Sequence, residues 1–566
     1  MKKAKKMTRN SAKADRKHAA GLFMAIVLMA ALLTACGSGT SSSSSAAASE
    51  SASEAESVSS EAETAAADGP AWKNDTSPVD LEWFVGASWY GYTWGESVVS
   101  KNITEKTGVN VTITTPTDDV STELSLYMVS GDLPDIITLG NWESCYTSLY
   151  EQGYVYALNE LADQYDPYFY NVVDGDVIKW HTKDDGNVYC IPNDAYAPST
   201  MAETGQTAAV QTFLVRKDLY EEMGSPDMTT PEGFLDALRT LHENYQEYDG
   251  MAITPFYAQA ATTYGMSKML QNFLAVPYEV DGEINDRTSD PEYIKWLKMF
   301  RQAYEEGLID VDFLVDSNDQ VKEKTNNGQY FCMLREYTDV QEANGILASS
   351  DDPDSIYIAV DGPMNSAKDD PLIFPGSMDG WMTTFISKDC ENPERAIAFL
   401  TYLCSEEGQM DMFMGVEGET YDMVDGKPVL KEELQELYSS NFDSFSNDYG
   451  LYDTYWMLRN KPLVDQWRME NPDYITQMSD WANAHADLDG GIYNNLEPTG
   501  DNDAGIAATS ISQKWEEVLP QLITAESDEK FDQIMADYVQ WRENNGYAQV
   551  VEYEQNLLDT RKEMLS

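Results

Sequence analysis

Histidine occurs four times in 566 residues and cysteine six times, and neither clusters. Beyond residue 35, His181, His242 and His485 lie far apart in unrelated surroundings, as expected of surface or core residues. Cys145, Cys190, Cys332, Cys390 and Cys404 are scattered, odd in number and never spaced as CxxC. This pattern indicates neither a Cys/His zinc cluster nor a dense disulfide framework, and small buried thiols are expected. The chain also lacks GxxxxGK[ST], a GxGxxG opening a helix after a strand, HExxH and a G-x-S-x-G elbow, so phosphate cradles, zincins and the hydrolase elbow have no signature here. Aspartates gather at 310–319 and 487–503 without the glycine spacing of an EF-hand loop, and no metal or cofactor is expected. Paired carboxylates for glycoside hydrolysis carry no weight, because in so acidic a chain any two could meet in a cleft.

Positive charge is the second shortage. Asp and Glu number 97 against 37 Lys and Arg, a net charge of −60. Eight of the basic residues and one Asp fall within the first 35 positions, so the remainder carries −67. Such a field repels nucleic acid and anionic lipid headgroups. No nucleic-acid partner is expected, and a neutral ligand is the default. Long apolar runs are missing too. The stretch at 19–33 falls short of the ~20 residues a spanning helix needs.

What that run does offer is an address. Lys2, Lys3, Lys5, Lys6, Arg9, Lys13, Arg16 and Lys17 precede it, and it closes on Leu33-Thr34-Ala35-Cys36 followed by Gly37. This resembles the lipobox of bacterial lipoproteins, more than an uncleaved anchor or an ordinary secretion signal. The resemblance implies a signal peptide over 1–35, diacylglycerol on the Cys36 sulfur, and a chain held at the outer face of the cell membrane by lipid alone. Two acyl chains suffice for stable anchoring. Residues 36–77 are Ser, Ala, Glu, Gly and Thr with almost no large apolar side chain before Trp72, and read as a disordered tether. About 35 flexible residues span roughly 30–35 Å.

About 490 residues remain, more than one core normally supports, so two lobes are expected. Val79, Leu81, Trp83 and Val85 alternate as a half-buried strand. A helix over 96–106 ends at Gly108, a strand carries Val109, Val111 and Ile113, a helix covers 121–129, and the apolar run 136–139 follows. That order, β-α-β-α-β, calls for a parallel sheet with crossover helices. Thr230 before Pro231 and Asn392 before Pro393 read as helix caps, with Phe234, Leu238, Leu241 and Tyr245 on one stripe and Ala396, Phe399, Leu400 and Leu403 on the other. From about residue 509 the chain reads as helical to its end. The fold class is α/β with a helix-rich C-terminal part.

Aromatic residues are plentiful: 13 Trp, 34 Tyr and 17 Phe, with Tyr twice as frequent as Phe. A ring with a polar edge suits half-exposed positions. Trp89 and Tyr90 follow the first strand, and Asn141 and Trp142 follow the third, at the strand ends where open α/β sheets bind ligands. Rings there could cover the C–H face of a sugar, or simply pack.

Several stretches then become informative together. Gly131-Asp132-Leu133-Pro134-Asp135-Ile136-Ile137, Asp185-Gly186-Asn187-Val188-Tyr189-Cys190-Ile191-Pro192, Val215-Arg216-Lys217-Asp218-Leu219 before Pro231-Glu232, and the run over 392–421 resemble family 1 extracellular solute-binding proteins, receptors of sugar ABC importers. Cys190 departs from the usual Gly. The run over 392–421 resembles the LplA-type lipoprotein branch of Gram-positive bacteria. The likeness implies a two-lobed type 2 periplasmic-binding fold with discontinuous lobes, placed by analogy at 79–195 plus 384–440 and at 210–375 plus 441–566. It implies ligand residues Trp89, Tyr90, Asn141 and Trp142 on one side of a cleft, Tyr257, Glu336 and Tyr337 on the other, and Trp381 at a crossing. It also implies a monomeric, non-enzymatic receptor that captures an oligosaccharide and hands it to permease subunits. A non-sugar ligand such as a peptide, or a lipid-anchored glycan-active enzyme, is the alternative.

Overall fold

Nine strands carry the architecture: β1 (Val79–Val85), β2 (Val109–Thr114), β3 (Ile136–Leu139), β4 (Ile191–Pro192), β5 (Gln211–Arg216), β6 (Thr254–Ala258), β7 (Tyr330–Glu336), β8 (Tyr357–Ala359) and β9 (Thr383–Ile386). The computed structural model describes residues 69–565 apart from 118, 249, 310, 311, 315 and 501. The signal segment, Cys36 and the tether up to residue 68 lie outside the described residues.

The strands form two principal sheets, ordered β2-β1-β3-β9-β4 and β8-β5-β7-β6. β1 pairs in parallel with β2 and β3, as the β-α-β-α-β reading requires. β9 arrives from the second half of the chain and inserts antiparallel between β3 and β4. In the second sheet β7 is parallel to β6 and antiparallel to β5. The first sheet therefore takes strands from both sides of the second in sequence, and the architecture is two-lobed α/β.

Local signals explain the first helices. The Ser97 hydroxyl accepts from the Ser100 N–H at 3.1 Å, opening the helix Val98–Thr107. Gly108 ends it at φ +72°, where a Cβ would lie 2.2 Å from the Thr76 carbonyl oxygen. Only glycine fits such a turn. Asp119 accepts from Thr122 N–H at 2.8 Å to open Val120–Ser130. Thr230 likewise accepts from Gly233 N–H at 3.1 Å. The Asn392 side chain makes no cap bond; its backbone carbonyl accepts from Arg395 and Ala396, and Pro393 presets the first turn of Pro393–Cys404.

Four expectations change. β1 alternates only to Trp83, after which Phe84 and Val85 are both buried, because helices cover both faces of this parallel sheet. The folded part begins before residue 77: Trp72 is buried, edge-on to Tyr402 at 5.5 Å and Tyr168 at 5.6 Å. The segment from 441 to 464, expected in the second lobe, packs in the first core. Phe445, Tyr452, Tyr455 and Trp456 are buried there, Phe413 stacking on Tyr452 at 4.5 Å. The C-terminal part is three helices, Asp503–Ile523, Asp528–Glu543 and Tyr547–Leu565, opened at residue 503 by Asn502 accepting from Gly505 N–H.

The second core lies around Phe213, Phe234, Phe256 and Trp296, with Leu519, Leu522 and Phe531 from the C-terminal helices. Helix Asp473–Ala484 covers the β8 edge: Gln477 donates to the Ala359 carbonyl at 2.8 Å and accepts its N–H at 3.0 Å, blunting an open strand. The last helix returns to the hinge, where Arg561 pairs with Asp379 at 3.1 Å, both buried. Three segments pass between the sheets: 193–210, 360–382 and 459–472.

Candidate functional site

The crossings join the end of β4 to the start of β5 and the end of β8 to the start of β9. The edges where β1 and β3 end thus share a hinge with the edge where β6 and β7 end. Ligand-facing residues belong at those edges.

Trp89 and Trp381 meet there. Their rings are stacked at 6.0 Å between centroids with 14° between planes, and both are open to solvent, at 57% and 36%. Under them lies Trp456, 4.5 Å from Trp381 and 5.8 Å from Trp89. Trp456 is buried, and its indole Nε1 has no hydrogen-bond partner among the described residues. A buried donor left unpaired costs about 1–3 kcal/mol, which an acceptor on a bound molecule or a water would recover.

One buried amide sets this geometry. Asn193, fully buried at the start of the first crossing, accepts from Trp381 N–H at 3.2 Å and Met382 N–H at 2.7 Å through Oδ1. Its Nδ2 donates to the Trp456 carbonyl at 3.1 Å, and its own N–H donates to the Met382 carbonyl at 2.9 Å. Gly380 makes the approach possible: a Cβ there would lie 2.1 Å from the Asn193 carbonyl oxygen. Asn193 thus ties the first two crossings to the Trp456 segment of the first core and holds two tryptophans by their backbone.

Charge gathers beside it. Arg459 Nε donates to Asp194 at 2.8 Å, in a bidentate pair completed by its Nη2, and Asp453 accepts from both Arg459 and Arg468. Burial pushes the Asp453 carboxyl up, but the two guanidiniums outweigh it and hold it well below the carboxylate range.

The remaining expected residues divide. Tyr90 is buried, edge-on to Trp456 at 5.8 Å, its hydroxyl donating to the Thr454 carbonyl at 3.0 Å. It supports the tryptophans and presents no face to a ligand. Tyr257 is buried too, packed 5.0 Å from Tyr330, because β6 turns it into the second core. Trp142 is half-exposed and folds over Gly140, where a Cβ would strike the indole at 2.2 Å; it makes no ring contact with the tryptophan cluster. Asn141 lines a separate cavity of about 110 Å³ with Tyr150, Lys183, Glu497, Tyr553 and Arg561, and its Oδ1 is buried without a partner.

On the second lobe Glu336 sits at the end of β7, accepting from the Tyr264 hydroxyl at 2.8 Å and donating its N–H to Gln259 Oε1 at 3.0 Å. Burial and the nearby Asp339 push its carboxyl up to about 7. Tyr337 is half-buried, its N–H donating to the Val210 carbonyl at 3.0 Å. Farther along the cleft Lys268 pairs with Glu497 at 2.5 Å and keeps it ionised, whereas burial and that same Glu497 raise Glu554 to about 8. Lys268 and Arg287 both favour the charged form of Glu497, whereas Lys268 alone opposes the rise at Glu554. Reading the sequence missed Trp456, Asn193 and Tyr264. The run Tyr452-Asp453-Thr454-Tyr455-Trp456 was the available signal, its density of rings exceeding what a solvent loop needs. Among the described residues no three His, Cys, Asp or Glu converge to hold a metal.

Comparison with known proteins bears on the family and the fold. The chain is 21% identical over 340 residues to lipoprotein LipO of Bacillus subtilis (strain 168), covering 58% of this chain and 64% of that one. It spans 64% of the length of the curated relatives it matches. Among solved structures it resembles the substrate-binding protein FusA of S. pneumoniae in complex with kestose, with a TM-score of 0.61, 15% identity, and 86% and 99% of the two chains covered. It also resembles alginate-binding protein AlgQ2 without calcium ion, with a TM-score of 0.60, 18% identity, and 85% and 98% covered. At such identities these structures speak for the two-lobed fold. The family model of bacterial extracellular solute-binding proteins matches residues 91–410, from the loop of Trp89 through the crossing of Trp381 and on past the helix Pro393–Cys404; by that match the chain belongs to this family.

Proposed function

We propose that this chain is a lipid-anchored receptor that captures an oligosaccharide between its lobes and delivers it to the permease of an ABC transporter. The exposed Trp89–Trp381 pair over Trp456 carries the reading. Flat apolar rings with a free indole donor at the interlobe edge suit the C–H face and the oxygens of a sugar. The structural neighbours, one in complex with kestose and one alginate-binding, favour a carbohydrate. Anchoring through Cys36 is supported by the lipobox-like Leu33-Thr34-Ala35-Cys36 and by the name of the distant relative, and no helix of the described residues is long and apolar enough to cross a membrane. A monomeric receptor without nucleic-acid partners agrees with the charge of −60.

Calorimetry against kestose, alginate oligosaccharides and N-glycan fragments tests the ligand class. Micromolar or tighter binding of one of them without release of new reducing ends is expected. Binding of a peptide with none to any glycan sinks the carbohydrate reading, and new reducing ends favour a glycan-active enzyme. Cys36→Ser should appear in the medium with its binding unchanged.

A further inference from the structure

Behind Glu336, side chains from four separate segments form one directed chain of hydrogen bonds. Arg287 Nη2 donates to Asn272 Oδ1 at 2.7 Å, and Asn272 Nδ2 donates to Gln211 Oε1 at 3.0 Å. Gln211 Nε2 donates to the Tyr264 hydroxyl at 2.7 Å, and that hydroxyl donates to Glu336 Oε1 at 2.8 Å. Arg287, Asn272 and Gln211 are buried, Asn272 completely. The Arg287 guanidinium lies 3.6 Å over the Tyr278 ring and also donates to the Val276 carbonyl at 3.1 Å. Every amide points the same way, from a fixed cation toward a carboxylate. The Tyr264 oxygen already accepts from Gln211, so its proton is committed to Glu336.

Such an arrangement exceeds what packing requires. Four polar residues in a lobe core each forfeit water, and they are retained at no net loss only when every member is satisfied. Successive bonds polarise one another, which strengthens the last donor. Its target is half-buried at the cleft edge of β7, in line with the crossing residue where β5 begins.

We propose that Gln211, Tyr264, Asn272 and Arg287 are positioning residues that hold Glu336 as an ionised acceptor for ligand hydroxyl groups, making capture proton-dependent. This rests on the carbohydrate reading of the cleft. The groups facing Glu336 are Tyr264 from the π-helical segment Gly265–Met269 and its approach, Gln259 after β6, Arg335 beside it on β7, and Asp339 with Tyr337 from the turn that follows. Asp465 and Arg468 lie beyond Tyr337. Burial and Asp339 favour the acid; Tyr264, Arg335 and Gln259 favour the carboxylate, and the balance stands at about 7. Only the carboxylate accepts hydrogen bonds through both oxygens, so affinity should fall as pH drops through that value.

The test is a ¹³C-carboxyl NMR titration of Glu336 in the ligand-free protein, with calorimetry on the same glycan panel from pH 5.5 to 8.5. In Tyr264→Phe the Glu336 midpoint should rise by about one unit, and affinity at pH 7 should fall about fivefold with the ionised fraction. Gln211→Met, which keeps the hydroxyl but frees its orientation, should give a smaller shift of the same sign and serves if Tyr264→Phe fails to fold. Lower melting temperatures with an unmoved midpoint in both variants overturn the relay. A moved midpoint with unchanged affinity and pH profile overturns the role in capture. Should the unmodified protein bind no glycan while the midpoint still shifts, the carbohydrate reading fails and the proton tuning of Glu336 stands.

Discussion

The two lobes meet their shared cleft with opposite chemistry. The first brings rings: Trp89, with Tyr90 and Trp456 beneath it and Trp381 beside it, held by backbone hydrogen bonds to Asn193. The second brings Glu336, held by a chain of side chains that ends in a buried cation. An indole does not titrate between about pH 5 and 9, so stacking on it is indifferent to pH. A carboxylate discriminates among hydroxyl patterns and responds to protons. On the proposed reading the first lobe would supply grip and the second selectivity, a contrast that mutation on either side can break.

The largest effect should come from the amide between them. Asn193→Leu removes the side-chain bonds to Trp381 N–H, Met382 N–H and the Trp456 carbonyl; Met382 N–H is left without a partner, while Trp381 N–H keeps the residue-193 carbonyl and the Trp456 carbonyl keeps Arg459 N–H. At about 1 kcal/mol or more for each lost bond, stability should fall by about 3 kcal/mol in urea unfolding. A loss below 1 kcal/mol would mean that the platform is held by ring packing alone. Next comes the platform itself. Trp381→Ala removes an exposed face whose absence opens no core, so the fold should survive while affinity drops ten- to fiftyfold, about 1.5–2.5 kcal/mol, equally at every pH. If that loss tracked the Glu336 titration, grip and selectivity would not be separable.

Much of this was legible before the structure, for reasons that differ residue by residue. Ser97 and Gly108 bracket a helix by capping chemistry that acts locally, so the β-α-β-α-β order follows from short stretches. Trp89 and Trp381 could be singled out because one follows a strand end and the other lies in a crossing. Which of Trp89 and Tyr90 faces water could not, since both lie in the turn closed by Tyr90 N–H on the Ala87 carbonyl and only packing decides. Trp456 stayed hidden because Tyr452–Leu458 folds as 3₁₀ turns broken at Tyr455 (φ −112°, ψ 61°), without a period to read. The relay was invisible for another reason: positions 211, 264, 272, 287 and 336 converge only through the tertiary fold, and none carries a motif.

The smallest effect sharpens the comparison most finely, because it pits two half-exposed tryptophans of the first lobe against each other. Trp142 matches Trp89 in exposure, 50% against 57%, yet its ring lies over Gly140 and stands apart from the cluster. Its neighbour Asn141 faces the cavity of about 110 Å³ shared with Lys183, Tyr553 and Arg561. If capture depends on the stacked pair alone, Trp142→Ala should weaken binding less than threefold for every glycan, measured by the calorimetry that reports the tenfold or greater loss in Trp381→Ala. A threefold change is about 0.65 kcal/mol, near what a peripheral ring contact contributes. A tenfold loss confined to the longer glycans would give Trp142 a second sugar ring to cover. The binding groove would then run from the tryptophans toward the Asn141 cavity, and ligand length, not ring chemistry, would distinguish the two ends of the cleft.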